Sequence, residues 1–191
     1  LHVVKHNQGV RVECEHDFST EPGIFLNGAV VYGYNGVLVH ECKFDPSVLT
    51  LIVSLFEKDL HQVVVMPCSG DEIFAPVKSE ISMYLHVKYS DPLPTIFSDY
   101  RAMLHAMETK SIHMITLLTA PGEESRIVAA LTELFGNNQY TIVTSVLRQV
   151  SILPPHSTKG AGLHVLAKYL NVAQATIAAL GDANNDIEML D

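Results

Sequence analysis

The sequence predicts an α/β protein in two parts: an open, parallel-sheet core made from the two ends of the chain, and an α+β sandwich inserted between them. Three observations carry this. From about Leu147 to the end the order is strand, helix, strand, loop, helix, the alternation that builds parallel sheets with ligand sites at the strands' C-terminal ends. From about Gly33 to Val150 helices and paired strands instead suit an antiparallel sheet with helices on one face. Leu153-Pro154-Pro155-His156 is a stiff joint that closes the middle stretch. The expected limits are 1–32 and 153–191 for the core and 33–152 for the insertion.

The elements follow in chain order. Ile24–Leu26 and Ala29–Tyr32 read as strand, interrupted at Asn27-Gly28, and Asn35-Gly36 between apolar runs is a hairpin turn that returns through Val37–His40. Asp45-Pro46 starts a helix, with Val48, Leu49, Ile52, Leu55 and Phe56 at helical spacing to about Lys58. Gln62–Met66 is a β-branched strand with a hairpin partner at Asp71–Ala75. Lys78–Lys88 fits either state, and Asp91-Pro92-Leu93-Pro94 is a loop. Ser98–Met107 is a short helix and Ser111–Leu118 an apolar strand. Pro121–Phe135 is a helix ended by Gly136, and Tyr140–Thr144 with Leu147–Ile152 forms a strand pair. Lys159–Leu170 is a helix with Leu163, Leu166 and Leu170 inward, and Ile177–Leu180 is a buried strand. Leu1–Glu21 offers only strand fragments at Val3-Val4 and Val10–Val12.

Composition narrows the function. With 191 residues, 48% of them hydrophobic, the chain has a globular composition and buries a sizeable core. A net charge of −9 argues against nucleic acid or an anionic membrane as main partner, because both need basic patches. Cys14, Cys42 and Cys68 are odd in number and form no C-x-x-C, which points to reduced cytoplasmic thiols rather than a disulfide framework. No apolar run approaches a membrane span. His2, His6 and His16 lack ligand spacing and read as surface residues. The start at Leu1 and the end within a helix-like turn suggest a fragment of a longer polypeptide.

The most informative stretch is Thr176–Asp191, T-I-A-A-L-G-D-A-N-N-D-I-E-M-L-D. An apolar run ends at Gly181, an acidic and amide-rich loop follows, and Ile187–Leu190 begins a helix. Asp182 and Asp186 offer carboxylates and Asn184 and Asn185 offer amides, the donors of a hard-cation or phosphate site. The same residues also suit an Asx-rich turn capping a helix.

G-D-A-N-N-D-I-E-M-L resembles the fourth motif, G-D-x-x-N-D, of the haloacid dehalogenase (HAD) superfamily, in the form carried by its Cof-type, sugar-phosphatase-like branch. Lys159-Gly160 in S-T-K-G-A-G-L resembles that branch's third motif. Pro22–Tyr32, P-G-I-F-L-N-G-A-V-V-Y, resembles its N-G-A segment, where the chain leaves the core for the cap. The resemblance implies a doubly wound core, incomplete here, with an inserted α+β cap of antiparallel sheet and helices. It also implies a Mg²⁺-dependent phosphatase of small phosphorylated metabolites. Asp182 then matches the metal-ligating aspartate and Asn185 the amide that contacts phosphate or orients that ligand. Lys159 matches the lysine that holds nucleophile and phosphate together, and Asp186 the residue that holds Lys159 or a metal-bound water. Asn27 matches a substrate-side position at the core–cap junction.

The family reaction resembles a two-step transfer through an aspartyl phosphate, its nucleophile drawn from an N-terminal D-x-D. The sequence departs from the pattern here: no D-x-D precedes Pro22 and no second motif is recognisable. Two readings stay open, an active phosphatase whose nucleophile lies outside these residues, and a catalytically inactive fragment or binding module. A third, the phosphorylation domain of a P-type pump, shares the G-D-x-x-N-D loop but fits poorly with a chain free of membrane spans.

Overall fold

The computed structural model describes residues 20–60, 62–78, 80, 83, 86–87, 92–136, 140–145, 148–181 and 184–190. The strand fragments before Glu21, the three early histidines, most of the Lys78–Lys88 stretch and Asp182 lie outside the described residues. The chain divides into two compact units, one formed by its two ends and the other by Lys43–Pro155.

The first unit opens with three short antiparallel strands, β1 (Gly23–Phe25), β2 (Val30–Tyr32) and β3 (Leu38–Glu41), in the order β1-β2-β3. The expected Asn-Gly turn joins β2 to β3. Asn35 and Gly36 both take positive φ, 57° and 70°, as a two-residue hairpin of the strand-compatible hand requires. Because β3 pairs with β2, the division between units falls after Cys42 rather than at Tyr32.

One helix of this unit, Lys159–Leu170, packs on the sheet: Leu166 is buried with Ile24 and Val31, flanked by Leu163, Val165, Leu170 and Val39. This is the apolar stripe expected from its spacing. The helix ends at Asn171, which adopts the left-handed conformation common after a helix.

Ile177–Leu180, the expected buried strand, is not one. It runs without ladder partners among the described residues, and Leu180 is 95% exposed. Apolar, β-branched residues make a segment competent to be a strand, but only a neighbour that takes its N–H and C=O groups makes it one.

The second unit is a six-stranded sheet in the order β6-β5-β4-β7-β9-β8, its strands being β4 (Val64–Ser69), β5 (Glu72–Ala75), β6 (Thr95–Ile96), β7 (Met114–Leu118), β8 (Thr141–Ser145) and β9 (Gln149–Leu153). All pairings are antiparallel except that of β5 with the two-residue β6, which directly follows the Asp91–Pro94 loop. Strand β4 runs on through Pro67 to Ser69, past the expected end at Met66.

Three helices, α1 (Pro46–Leu55), α2 (Tyr100–Met107) and α3 (Glu124–Phe135), share one core with the sheet. Leu49, Ile52, Met103, Met107, Ile127 and Leu131 meet Val65, Ile115, Leu117, Val150 and Ile152 there. These strand residues alternate with Met66, Thr116 and Leu118 on the other face, so the period-2 pattern sends one set to the helices. Burying each of the larger aliphatic side chains contributes about 2 kcal/mol.

Caps set the helix starts. Asp45 accepts from the Ser47 N–H at 2.9 Å and Asp99 from the Ala102 N–H at 2.8 Å. The Ser47 side-chain and backbone bonds hold the Asp45 carboxyl below its usual range. Among the described residues no helix is long and apolar enough to cross a membrane.

Tyr100 ties α2 to the sheet. Its hydroxyl accepts from the Val65 N–H at 2.9 Å and donates to the Val63 carbonyl at 3.3 Å. Burial pushes the phenol up from its ordinary range, against the lowering effect of the Val65 N–H. A raised folded value means stability that is complete below the ordinary tyrosine range and lost as pH climbs through the folded value. Tyr100→Phe leaves the Val65 N–H without its acceptor and lowers stability by about 1–2 kcal/mol. Urea unfolding followed against pH should show the wild type losing stability above about pH 10, with the Tyr100 share of that loss missing from the variant.

Candidate active site

The site is assembled from three segments of the first unit. The first is the turn between β1 and β2, Leu26-Asn27-Gly28, in which all three residues take positive φ (49°, 56° and 98°). Glycine adopts this freely and asparagine with little cost, whereas leucine is strained there. Gly28 is also fixed by contact, because a Cβ on it would lie 1.9 Å from the Thr158 carbonyl oxygen. The turn leaves Asn27 buried, at 7% exposure.

The second segment is the start of the helix Lys159–Leu170, hereafter α4. Thr158 caps it, its Oγ1 accepting from the Ala161 N–H at 3.1 Å. The Ser-Thr-Lys-Gly order carried this cap signal, which the sequence reading passed over in favour of the lysine. Ser157, wholly buried, has a hydroxyl with no hydrogen-bond partner among the described residues, and nothing in the structure explains it.

The third segment is the C-terminal loop with α5 (Ile187–Leu190). Gly181 lets the loop close on itself, since a Cβ there would lie 2.4 Å from that of Asp186. Gly160 does the same between helices, because a Cβ on it would meet the Glu188 carbonyl at 2.7 Å. Both glycines work by permitting contact rather than by unusual φ.

Two side-chain contacts join the segments. Lys159 Nζ donates to Asp186 Oδ1 at 2.5 Å, the two side chains only 14% and 5% exposed. Asn185 Nδ2 donates to Asn27 Oδ1 at 3.0 Å. Four of the five residues singled out from the sequence, Asn27, Lys159, Asn185 and Asp186, are thus placed in one polar cluster. The fifth, Asp182, lies outside the described residues.

The geometry narrows what each residue offers. Asp186 is committed to Lys159, and among the described residues no group of three or more metal-ligating side chains occurs. Lys159 stands at the first position of α4, where a cation opposes the helix dipole. Asp186 offsets that, and an ammonium has three donors, so a cation at a helix start is suited to an anion. The cluster borders a depression of about 740 Å³ whose other walls are mostly apolar, including Pro22, Ile24, Leu163 and Ile177.

Gly28→Ala should cost about 3 kcal/mol or more, because it adds both a forbidden φ and a collision with the Thr158 carbonyl. Gly36→Ala, at positive φ but with open space around it, should cost about 1 kcal/mol. Thermal unfolding of the two variants side by side checks the order.

A family model for haloacid dehalogenase-like hydrolases matches residues 9–191. The chloroplastic endoribonuclease YBEY of Arabidopsis thaliana is 29% identical over 173 residues, which cover 90% of this chain and 28% of that protein. The HMP-PP phosphatase of Enterobacter sp. (strain 638) is 25% identical over 167 residues, 86% of this chain and 57% of the phosphatase. Among solved structures, a HAD/COF-like hydrolase from Plasmodium vivax superimposes with a TM-score of 0.75 at 24% identity, covering 88% of this chain and 57% of that one. The chain therefore spans less than two thirds of the length of each of these relatives. With its motifs in order and its fold matched, the chain belongs to the haloacid dehalogenase-like hydrolases, in their Cof-type branch.

Proposed function

We propose that this chain supplies part of the catalytic core, and the inserted cap, of a Mg²⁺-dependent phosphatase of small phosphorylated metabolites resembling sugar phosphates. The observation that carries the reading is the buried Lys159–Asp186 pair. An aspartate nucleophile beside a phosphate dianion is electrostatically uphill, so a phosphatase of this kind needs a fixed cation where the two meet. Lys159 meets that need: Asp186 holds its amine in one place, and low exposure keeps water from screening its charge.

Asn27 lines the same depression, and Asn185, hydrogen-bonded to it, would help orient the substrate from its other side. Asp182 would hold the magnesium ion, in the loop where Gly181 stands close against Asp186. Bound there, the ion neutralises phosphate charge and favours transfer. The nucleophile comes from a D-x-D segment outside these 191 residues, and the product is an aspartyl phosphate that water cleaves. The Lys43–Pro155 unit acts as the cap that shields the reaction from solvent. Free thiols at Cys42 and Cys68 agree with a cytoplasmic setting. The alternative reading is a binding module that retains the cation and amides without turnover.

The test uses the full-length polypeptide and a panel of sugar phosphates with Mg²⁺. Turnover should be lost with EDTA, and Lys159→Ala should reduce kcat by about a hundredfold or more. Asp182→Asn should weaken Mg²⁺ binding, read by calorimetry, by about tenfold or more. Phosphatase activity indifferent to Lys159→Ala would contradict the assignment. Mg²⁺ binding without any turnover would favour the binding module.

A further inference from the structure

We propose that Leu26 is a positioning residue for substrate binding, its backbone holding Asn27 in the polar cluster. The placement of Asn27 is geometry; that a substrate meets it rests on the phosphatase reading. Leu26 has φ 49°, in the left-handed region where Cβ crowds the neighbouring carbonyl and which leucine seldom enters. Residues held there persist only where the surrounding contacts over-determine them, and they gather at functional sites.

The same unit contains a comparison, because Asn27-Gly28 and Asn35-Gly36 form the same kind of turn. Asn27 has φ 56° and ψ 29°, and Asn35 has φ 57° and ψ 31°. The Ala29 N–H donates to the Leu26 carbonyl at 3.1 Å, as the Val37 N–H donates to the Tyr34 carbonyl at 3.3 Å. Such a turn needs positive φ only at its two central residues. Tyr34, just ahead of the second turn, is not at positive φ, whereas Leu26 ahead of the first is. Turn formation therefore does not account for Leu26. The surroundings differ instead: Asn35 is exposed and Gly36 has open space around it, but Asn27 is buried and accepts from Asn185 Nδ2 at 3.0 Å, and Gly28 stands against the Thr158 carbonyl.

The ladder pairs Phe25 with Val30, so only residues 26–29 carry the chain out of the sheet and back. With both ends of that loop fixed, the backbone of Leu26 sets the tilt at which Asn27-Gly28 stands over the sheet. Positive φ there aims the Asn27 side chain at Asn185, and the Thr158 contact with Gly28 keeps the loop from relaxing. Asn27 is thus in place before any substrate arrives, and binding does not have to order it.

The experiment compares Leu26→Gly with Leu26→Ile in the full-length polypeptide. Glycine supplies positive φ freely but deletes the side chain, whereas isoleucine keeps the side-chain volume and is the worse residue at that φ. The two variants therefore separate a backbone role from apolar packing. With Mg²⁺ and a sugar phosphate, Leu26→Ile should raise KM about tenfold and change kcat less than about twofold, the mark of lost binding rather than lost chemistry. Leu26→Gly should keep KM within about twofold of the wild type. The Asn185 side-chain amide, followed by ¹⁵N NMR and assigned by its loss in Asn185→Ser, reads the contact with Asn27 without turnover. Its hydrogen-bonded proton should stay protected in Leu26→Gly and exchange about tenfold faster in Leu26→Ile. A glycine variant as impaired as the isoleucine one, or more so, marks a packing role and overturns the proposal. So does an isoleucine variant indistinguishable from the wild type. Should Leu26→Ile not fold, the glycine variant decides alone, since packing predicts loss of the amide protection and the proposal predicts its retention. Amide protection that follows the expected order in a protein without turnover upholds the role of Leu26 in placing Asn27 and sinks the phosphatase reading instead.

Discussion

An ammonium group at the first position of a helix sits against the positive end of the dipole and gains nothing from its own element. Lys159 is in that position, and the contact that makes it tenable is the Asp186 carboxylate 2.5 Å away. Removing one partner of a buried ion pair typically costs about 3–5 kcal/mol. The pair also spans the sequence separation from the start of α4 to the loop before α5, so it closes the C-terminal segment onto the helix. Cation placement, loop closure and the position of Asn185 all depend on it.

That closure works only because the backbones approach so closely. Gly28 lies against the Thr158 carbonyl, Gly160 against the Glu188 carbonyl, and Gly181 against Asp186. Gly28 and Gly160 stand where a side chain would separate two of the segments that bear the site, and Gly181 where one would open the C-terminal loop. The polar cluster is therefore held from outside, by packing that any larger residue would wedge apart. The second unit has a different logic. There an alternating strand pattern sends Val65, Ile115, Leu117 and Ile152 to three helices, and the stability resides in one large apolar layer.

How legible all this was depended on the range of the forces involved. Local signals were read well: Asp45-Pro46 as a helix start, Asn35-Gly36 as a hairpin turn, and the apolar stripe of α4 each rest on residues within a few positions. The motifs single out Asn27, Lys159, Asn185 and Asp186, but they do not reveal how these side chains pair. That Asp186 bonds Lys159, and Asn185 bonds Asn27, depends on segments far apart in sequence meeting in space. Ile177–Leu180 was misread for the same reason. Its residues favour a strand, yet strand formation is decided by a partner that propensity does not reveal. The Thr158 cap was visible in the sequence and was overlooked beside a more conspicuous lysine.

The central claim is that Lys159 is a buried ammonium pinned by one carboxylate, and nitrogen NMR of the lysine side chains tests it directly. In a chain labelled with ¹⁵N at lysine, an ammonium locked in such a pair exchanges its protons slowly enough to be seen near neutral pH, whereas solvent-exposed lysines do not. The account predicts one protected ammonium resonance that disappears in Lys159→Arg and is lost to fast exchange in Asp186→Asn. A spectrum in which Lys159 exchanges as fast as the surface lysines, with or without Asp186, would contradict it.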